Sequence, residues 1–175
     1  MRAAIPIIRE VKLLAKAPTA VAADGIFEGY ASLFGIADPG KDVVMPGAFA
    51  DSLAKRGPSG VRLLWRHDPA EPLGRWLAIE EDRRGLFVRG RLDLAVHRAR
   101  EIHAHMREGA VDGLSIGFRV ERARVERPTG LRRLEALDLW EISVVTFPML
   151  PGARVTTTAA DLAALIRGAA GRLFS

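Results

Sequence analysis

The chain has 175 residues, enough for one domain with a sizeable core, and its 49% hydrophobic and 27% charged residues are ordinary for a globular protein. It contains no cysteine, which excludes a disulfide scaffold, a thiolate zinc site and a cysteine nucleophile. The net charge of +5 comes mostly from arginines interleaved with Glu and Asp, and only 6% of residues are aromatic. Weak attraction to an acidic surface fits that balance; a dedicated nucleic-acid reader does not.

Residues 1–24 read as an extension. Its apolar patch, Ala3 to Ile8, is cut off by Arg9, Glu10 and Lys12, too short for the apolar stretch of a signal peptide or for a membrane span. A soluble, cytoplasmic protein without a membrane partner is expected. Ile26 to Phe34 reads as a strand, followed by a loop over Gly35 to Lys41 and a short apolar stretch, Asp42 to Met45. Pro46 opens a helix over Gly47 to Arg56, stopped by Gly57-Pro58. Val61 to His67 alternates, with Val61, Leu63, Trp65 and His67 on one face. Leu73 to Glu81 and Leu86 to Leu94 flank Asp82-Arg83-Arg84-Gly85, a hairpin signal. Val96 to Glu108 has helical composition and ends at Gly109. Leu114 to Glu126 alternates again, Pro128-Thr129-Gly130 turns the chain, and Leu131 to Phe147 returns as a long strand. Ala159 to Phe174 is an amphipathic helix candidate. Six or seven strands with two internal helices predict a mainly β protein with flanking helices (α+β), its antiparallel sheet closing into a barrel.

Three polar groups stand in or at the end of apolar strands. Ser115 lies in Gly113-Leu114-Ser115-Ile116-Gly117-Phe118, where small neighbours admit close backbone approach. A hydroxyl there is ordinarily a surface or turn residue, and it becomes a nucleophile only beside a base. His67 is the best base on offer, the alternative being a hydrogen-bonded core histidine. Glu141 lies in Leu139-Trp140-Glu141-Ile142-Ser143-Val144-Val145, where a carboxylate needs a partner. Orienting His67 would supply one; so would an arginine. Asp68 is a second candidate to orient His67, or a turn residue before Pro69. A metal site from His97, His103 and His105 with Asp93 or Asp68 lacks any standard ligand spacing, and no glycine-rich phosphate loop occurs. No metal or other cofactor is expected.

Several segments in order carry a resemblance: Tyr30-Ala-Ser-Leu-Phe34, Asp42-Val-Val-Met-Pro-Gly-Ala-Phe49, Leu64-Trp-Arg-His-Asp68, Pro72-Leu-Gly74, Gly85-Leu86, Gly90-Arg-Leu92, Ser115-Ile-Gly-Phe118 and Leu139-Trp-Glu-Ile-Ser-Val-Val145 before Pro148. Together they resemble the prohead (capsid maturation) proteases of HK97-type tailed phages, over roughly residues 25 to 155. The resemblance implies a serine endopeptidase with a fold similar to herpesvirus assemblin, a closed, mostly antiparallel barrel surrounded by helices. It implies Ser115 as nucleophile, His67 as base and Glu141 at the acidic position, where the herpesvirus enzymes have a second histidine. It implies as partners the major capsid protein and its scaffolding segment, cleaved along with the protease itself inside an immature shell in the bacterial host, with self-association allowed. On this reading residues 25–155 are the protease domain and 156–175 a helical tail. The Pro148 to Gly152 loop and the Gly113/Gly117 region are candidate oxyanion donors. The competing readings are a catalytically silent capsid-assembly or scaffold-binding domain of this fold, and a prophage or gene-transfer-agent copy of the protease.

Overall fold

The structure is a computed structural model and describes residues 21–156; the extension before residue 21 and the helix expected over Ala159 to Phe174 lie outside the described residues. Eight strands form one sheet: β1 (Ile26–Leu33), β2 (Asp42–Val44), β3 (Arg62–Trp65), β4 (Asp68–Glu81), β5 (Gly85–Leu92), β6 (Gly113–Glu126), β7 (Leu131–Val145) and β8 (Val155–Thr156). Two helices flank it, α1 (Ala50–Arg56) and α2 (His97–Arg107), with a single 3-10 turn at Pro58–Gly60. The mainly β class with two internal helices agrees with the expectation, as do both long hairpins, β4–β5 and β6–β7.

Three expectations are corrected. The sheet is an open, curled half-barrel rather than a closed barrel, and it has eight strands rather than six or seven. Along the path β7-β3-β4-β5-β1-β8, with β6 outside β7, the last edge is never zipped to the first. Among the described residues they are joined only by the segment around β8: its pairing with β1, the isolated bridge of Gly113 to Arg154, and a few flanking contacts. The sheet is also not purely antiparallel, because β7 pairs in parallel with β2 through its first half and with β3 through its second. Between those two stretches, the edge N–H groups of β7 are taken by α1 and the turn before it. The Leu137 N–H donates to the Ala48 carbonyl at 2.8 Å, and the Leu139 N–H donates to Ser52 Oγ at 2.9 Å. A seven-residue helix cannot persist alone, so this docking is what holds α1.

Alternation along the strands assembles the core. Phe27, Leu63, Leu73, Leu86, Val88, Leu114, Leu139 and Ile142 are fully buried, and Ile102 and Met106 of α2 join the same cluster. Phe27 and Trp76 meet edge to face at 5.7 Å, and the Trp76 indole donates to the Arg62 carbonyl.

Candidate active site

Register places four site residues on one face. Across the β6–β7 ladder Ser115 stands opposite Ser143 and Gly117 opposite Glu141. Because side chains alternate, these four share the face opposite to Leu114, Ile116 and Ile142. On the other side of β7, Leu64 of β3 lies beside Ser143. A bulge makes this phase possible. Gly117 faces Glu141 but Phe118 faces Leu139, so Trp140 is an extra residue on β7. Without it, Leu139 and Glu141, two apart, would point the same way. With it, Leu139 enters the core at 0% exposure while Glu141 turns to the site.

His67 does not end a strand, as the alternation suggested. β3 stops at Trp65, which pairs with Asp68, leaving Arg66 and His67 as a two-residue hairpin loop. Both have left-handed backbones, φ 52° and 63°, the pattern of a type I′ turn, which usually takes Asn and Gly. Such strain in non-glycine residues persists only where neighbours over-determine it. Here β7 supplies the restraint: the Arg66 N–H donates to the Val144 carbonyl at 3.1 Å, and the His67 N–H donates to Ser143 Oγ at 2.9 Å.

The turn swings the imidazole between the other two polar groups. His67 Nδ1 lies 2.5 Å from Glu141 Oε1, and His67 Nε2 lies 3.1 Å from Ser115 Oγ. A carboxylate only accepts, so Nδ1 carries the proton and Nε2 offers its lone pair to the serine hydroxyl. The second oxygen of Glu141 accepts from the Ser143 hydroxyl at 2.6 Å. The Glu141 side chain is 13% exposed and that of His67 is 45%, so the acid is shielded behind a ring that opens to solvent.

All three residues singled out in the sequence are therefore brought together. Asp68 is not among them; its Oδ1 accepts from the Ala70 N–H and serves the turn. The histidines weighed as metal ligands stay apart: His103 Nε2 lies 2.9 Å from the Ala22 carbonyl, and His97 is beside Glu101. Among the described residues no group of three or more ligand side chains is gathered. Sequence reasoning missed Ser143, and it took Gly117 only as room for close backbone approach and as part of a candidate oxyanion region. Ser143 is wholly buried in the Val/Ile strand and bonds both partners of the relay. Gly117 has no side chain because a Cβ there would sit 2.0 Å from Glu141 Oε1.

Where β1 and β6 fail to pair, a cleft of about 350 Å³ opens, lined by Ala31, Leu33, Leu114, Ser115, Ile116 and Met149 among others, with His67 at its wall. Its size is that of a site for a small ligand or a peptide side chain. Phe147, 89% exposed, stands beside a second hollow on the other side of His67.

A curled sheet with a serine–histidine–carboxylate chain at its open seam defines a class that the comparisons identify. The fold is similar to a KSHV protease solved with a hexapeptide phosphonate inhibitor (TM-score 0.53, 14% identity, 83% of this chain and 76% of that one). It is also similar to the bacteriophage T4 capsid assembly protease (TM-score 0.56, 13% identity, 69% and 80%). The profile described as caudovirus prohead serine protease matches residues 12–166, and the chain belongs to that family. It is 41% identical over 128 residues to the prohead protease of Enterobacteria phage HK97, covering 71% of this chain and 56% of that protein, so the match spans little more than half the length of its relative. Among the described residues no helix is long and apolar enough to cross a membrane.

Proposed function

We propose that the chain is a serine endopeptidase of capsid maturation, with Ser115 as nucleophile, His67 as general base and acid, and Glu141 as the group that orients His67. The observation that carries the reading is the unbroken chain Ser115 Oγ to His67 Nε2 at 3.1 Å and His67 Nδ1 to Glu141 Oε1 at 2.5 Å, opening on the cleft. Family membership supports the reaction class.

His67 Nε2 takes the hydroxyl proton as Ser115 Oγ attacks the scissile carbonyl carbon. Glu141, ionised throughout, stabilises the imidazolium that results. The tetrahedral intermediate collapses as His67 gives its proton to the leaving amine, and a water activated by the same base then releases the acyl group. Backbone N–H groups of the 148–152 loop, whose Met149 and Leu150 line the cleft, take the oxyanion.

The substrates on this reading are the scaffolding segment of the major capsid protein and the protease itself, inside an immature shell in the host cytoplasm. Residues 25–155 then form the protease domain, with residues 1–24 and 156–175 as extensions open to self-cleavage. Co-expression with the cognate capsid precursor tests it. Ser115→Ala should abolish trimming of the precursor, and Glu141→Gln should slow it by roughly two to four orders of magnitude. Equal trimming by wild type and Ser115→Ala would refute the serine mechanism and leave the silent assembly domain as the better account.

A further inference from the structure

Ser143 has 0% exposure and follows Ile142 and precedes Val144 and Val145 along β7, its own side chain on the face of Ser115 and Glu141. A buried hydroxyl in such a place has to be satisfied, and this one is used on both sides. It donates to Glu141 Oε2 at 2.6 Å and accepts the His67 backbone N–H at 2.9 Å. One oxygen atom thus ties the carboxylate to the backbone of the residue that the carboxylate faces. Two otherwise soft features depend on it. Glu141 can rotate about its terminal torsion unless its second oxygen is held. His67 sits at φ 63°, a backbone region uncommon for any residue other than glycine.

We propose that Ser143 is a positioning residue for the relay, setting where the His67 ring stands relative to Ser115 by fixing Glu141 and the left-handed turn together. The inference rests on the reading of Ser115 and His67 as nucleophile and base. It goes beyond that reading by giving a fourth residue a role that touches neither substrate nor reacting atoms.

Three variants of the full chain separate positioning from packing. Ser143→Ala removes the hydroxyl. Ser143→Thr and Ser143→Val are matched in shape, and only threonine keeps the oxygen. Kinetics use a peptide spanning the junction processed in the capsid precursor. Ser143→Ala and Ser143→Val should lower kcat by about 10- to 100-fold, the loss usual when a group holding a functional side chain is removed, with KM little changed. Ser143→Thr should recover most of the kcat. The low-field NMR resonance of the His67 Nδ1 proton should move or vanish in the alanine and valine variants and persist in the threonine variant. The same resonance should respond to Ser143→Ala in a Ser115→Ala background, so a failure of the nucleophile assignment leaves the positioning role separately readable. A kcat within twofold of wild type for a folded Ser143→Ala, or equal losses in the threonine and valine variants, would overturn the proposal.

Discussion

Alanine at position 117 would carry its methyl 2.0 Å from Glu141 Oε1 and 2.8 Å from Glu141 Cγ, well inside van der Waals contact. The side chain can move, unlike a backbone atom, so the fold survives. What cannot survive is the carboxylate in its present place, because Oε1 is the atom that meets His67 Nδ1. Gly117→Ala should therefore lower kcat/KM by about 100-fold, the scale of a misplacement of 1 Å in a catalytic array, with an unchanged melting temperature. An active variant would mean that the His67 ring is not held by this carboxylate. Ser115, His67 and Glu141 were legible in the sequence because each is a polar group in an apolar run, and such groups need partners. Ser143 and the close contact of Gly117 with Glu141 were not, for a common reason. Their importance lies in what they meet on the neighbouring strand, and a glycine or serine between apolar residues looks the same whether that neighbour is a valine or a glutamate. The turn at Arg66-His67 was hidden as well, since it lacks the Asn-Gly that announces a two-residue hairpin and its residues extend the alternation of β3.

At the scale of elements, helix α1 is held in place by a residue far away in sequence. Phe49 at its N-cap makes no side-chain cap bond. Instead Glu81, at the end of β4, accepts from the Gly47 N–H at 3.0 Å and from the Phe49 N–H at 2.8 Å. This explains why the helix begins at Ala50 and not at Gly47, as Pro46 suggested: the three residues between form a turn wrapped around a carboxylate. Glu81→Ala should destabilise the protein by about 1–2 kcal/mol, the range for losing an N-cap, read as a lower urea midpoint at constant m-value. Glu81→Gln, which keeps one acceptor oxygen, should recover part of the loss. At the other end of α1, Arg56 makes a two-point contact with Asp138, whose carboxyl is held below its ordinary range first by the Trp140 indole N–H and then by Arg56. The same helix that Glu81 anchors also supplies Ser52 to the Leu139 N–H beside the Trp140 bulge. An uncapped α1 should thus disturb the stretch of β7 that turns Glu141 toward the site, and Glu81→Ala should lower kcat as well as stability. The two long hairpins, β4–β5 and β6–β7, and the two internal helices were readable from alternation and from glycine stops. The parallel pairings of β7 were not, because they join residues 79 to 90 apart in sequence; nor was the bulge, a shift of register between β6 and β7 that alternation within either strand does not reveal.

For the molecule as a whole, the seam between β1 and β6 is both the weakest joint of the sheet and the mouth of the candidate site. It is stitched by a few backbone bonds from the segment around β8. The Leu114 N–H donates to the Ala153 carbonyl, the Val155 N–H to the Asp112 carbonyl, and the Tyr30 N–H to the Arg154 carbonyl. An ion pair between Arg154 and Asp112 lies over them. Closing the barrel by full pairing of β1 with β6 would remove the cleft, and omitting β8 would leave β6, with Ser115, as a free edge. The short strand keeps the gap at a set width. Gly29 is the position at which this can be tested, because a Cβ there would lie 2.3 Å from the Arg154 carbonyl oxygen and 2.8 Å from Val155 Cα. Those are backbone atoms that cannot swing away. Gly29→Ala should destabilise the protein by about 1–3 kcal/mol, as overpacking does, and the damage should be local. Hydrogen exchange at the Leu114 and Val155 amides should accelerate far more than at amides of the β4–β5 ladder. KM should rise with it, since the cleft wall formed by Ala31 and Leu33 follows directly on Gly29. Uniform loss of protection across the sheet, with KM unchanged, would show that the seam and the cleft are independent and that the open edge has no part in holding substrate.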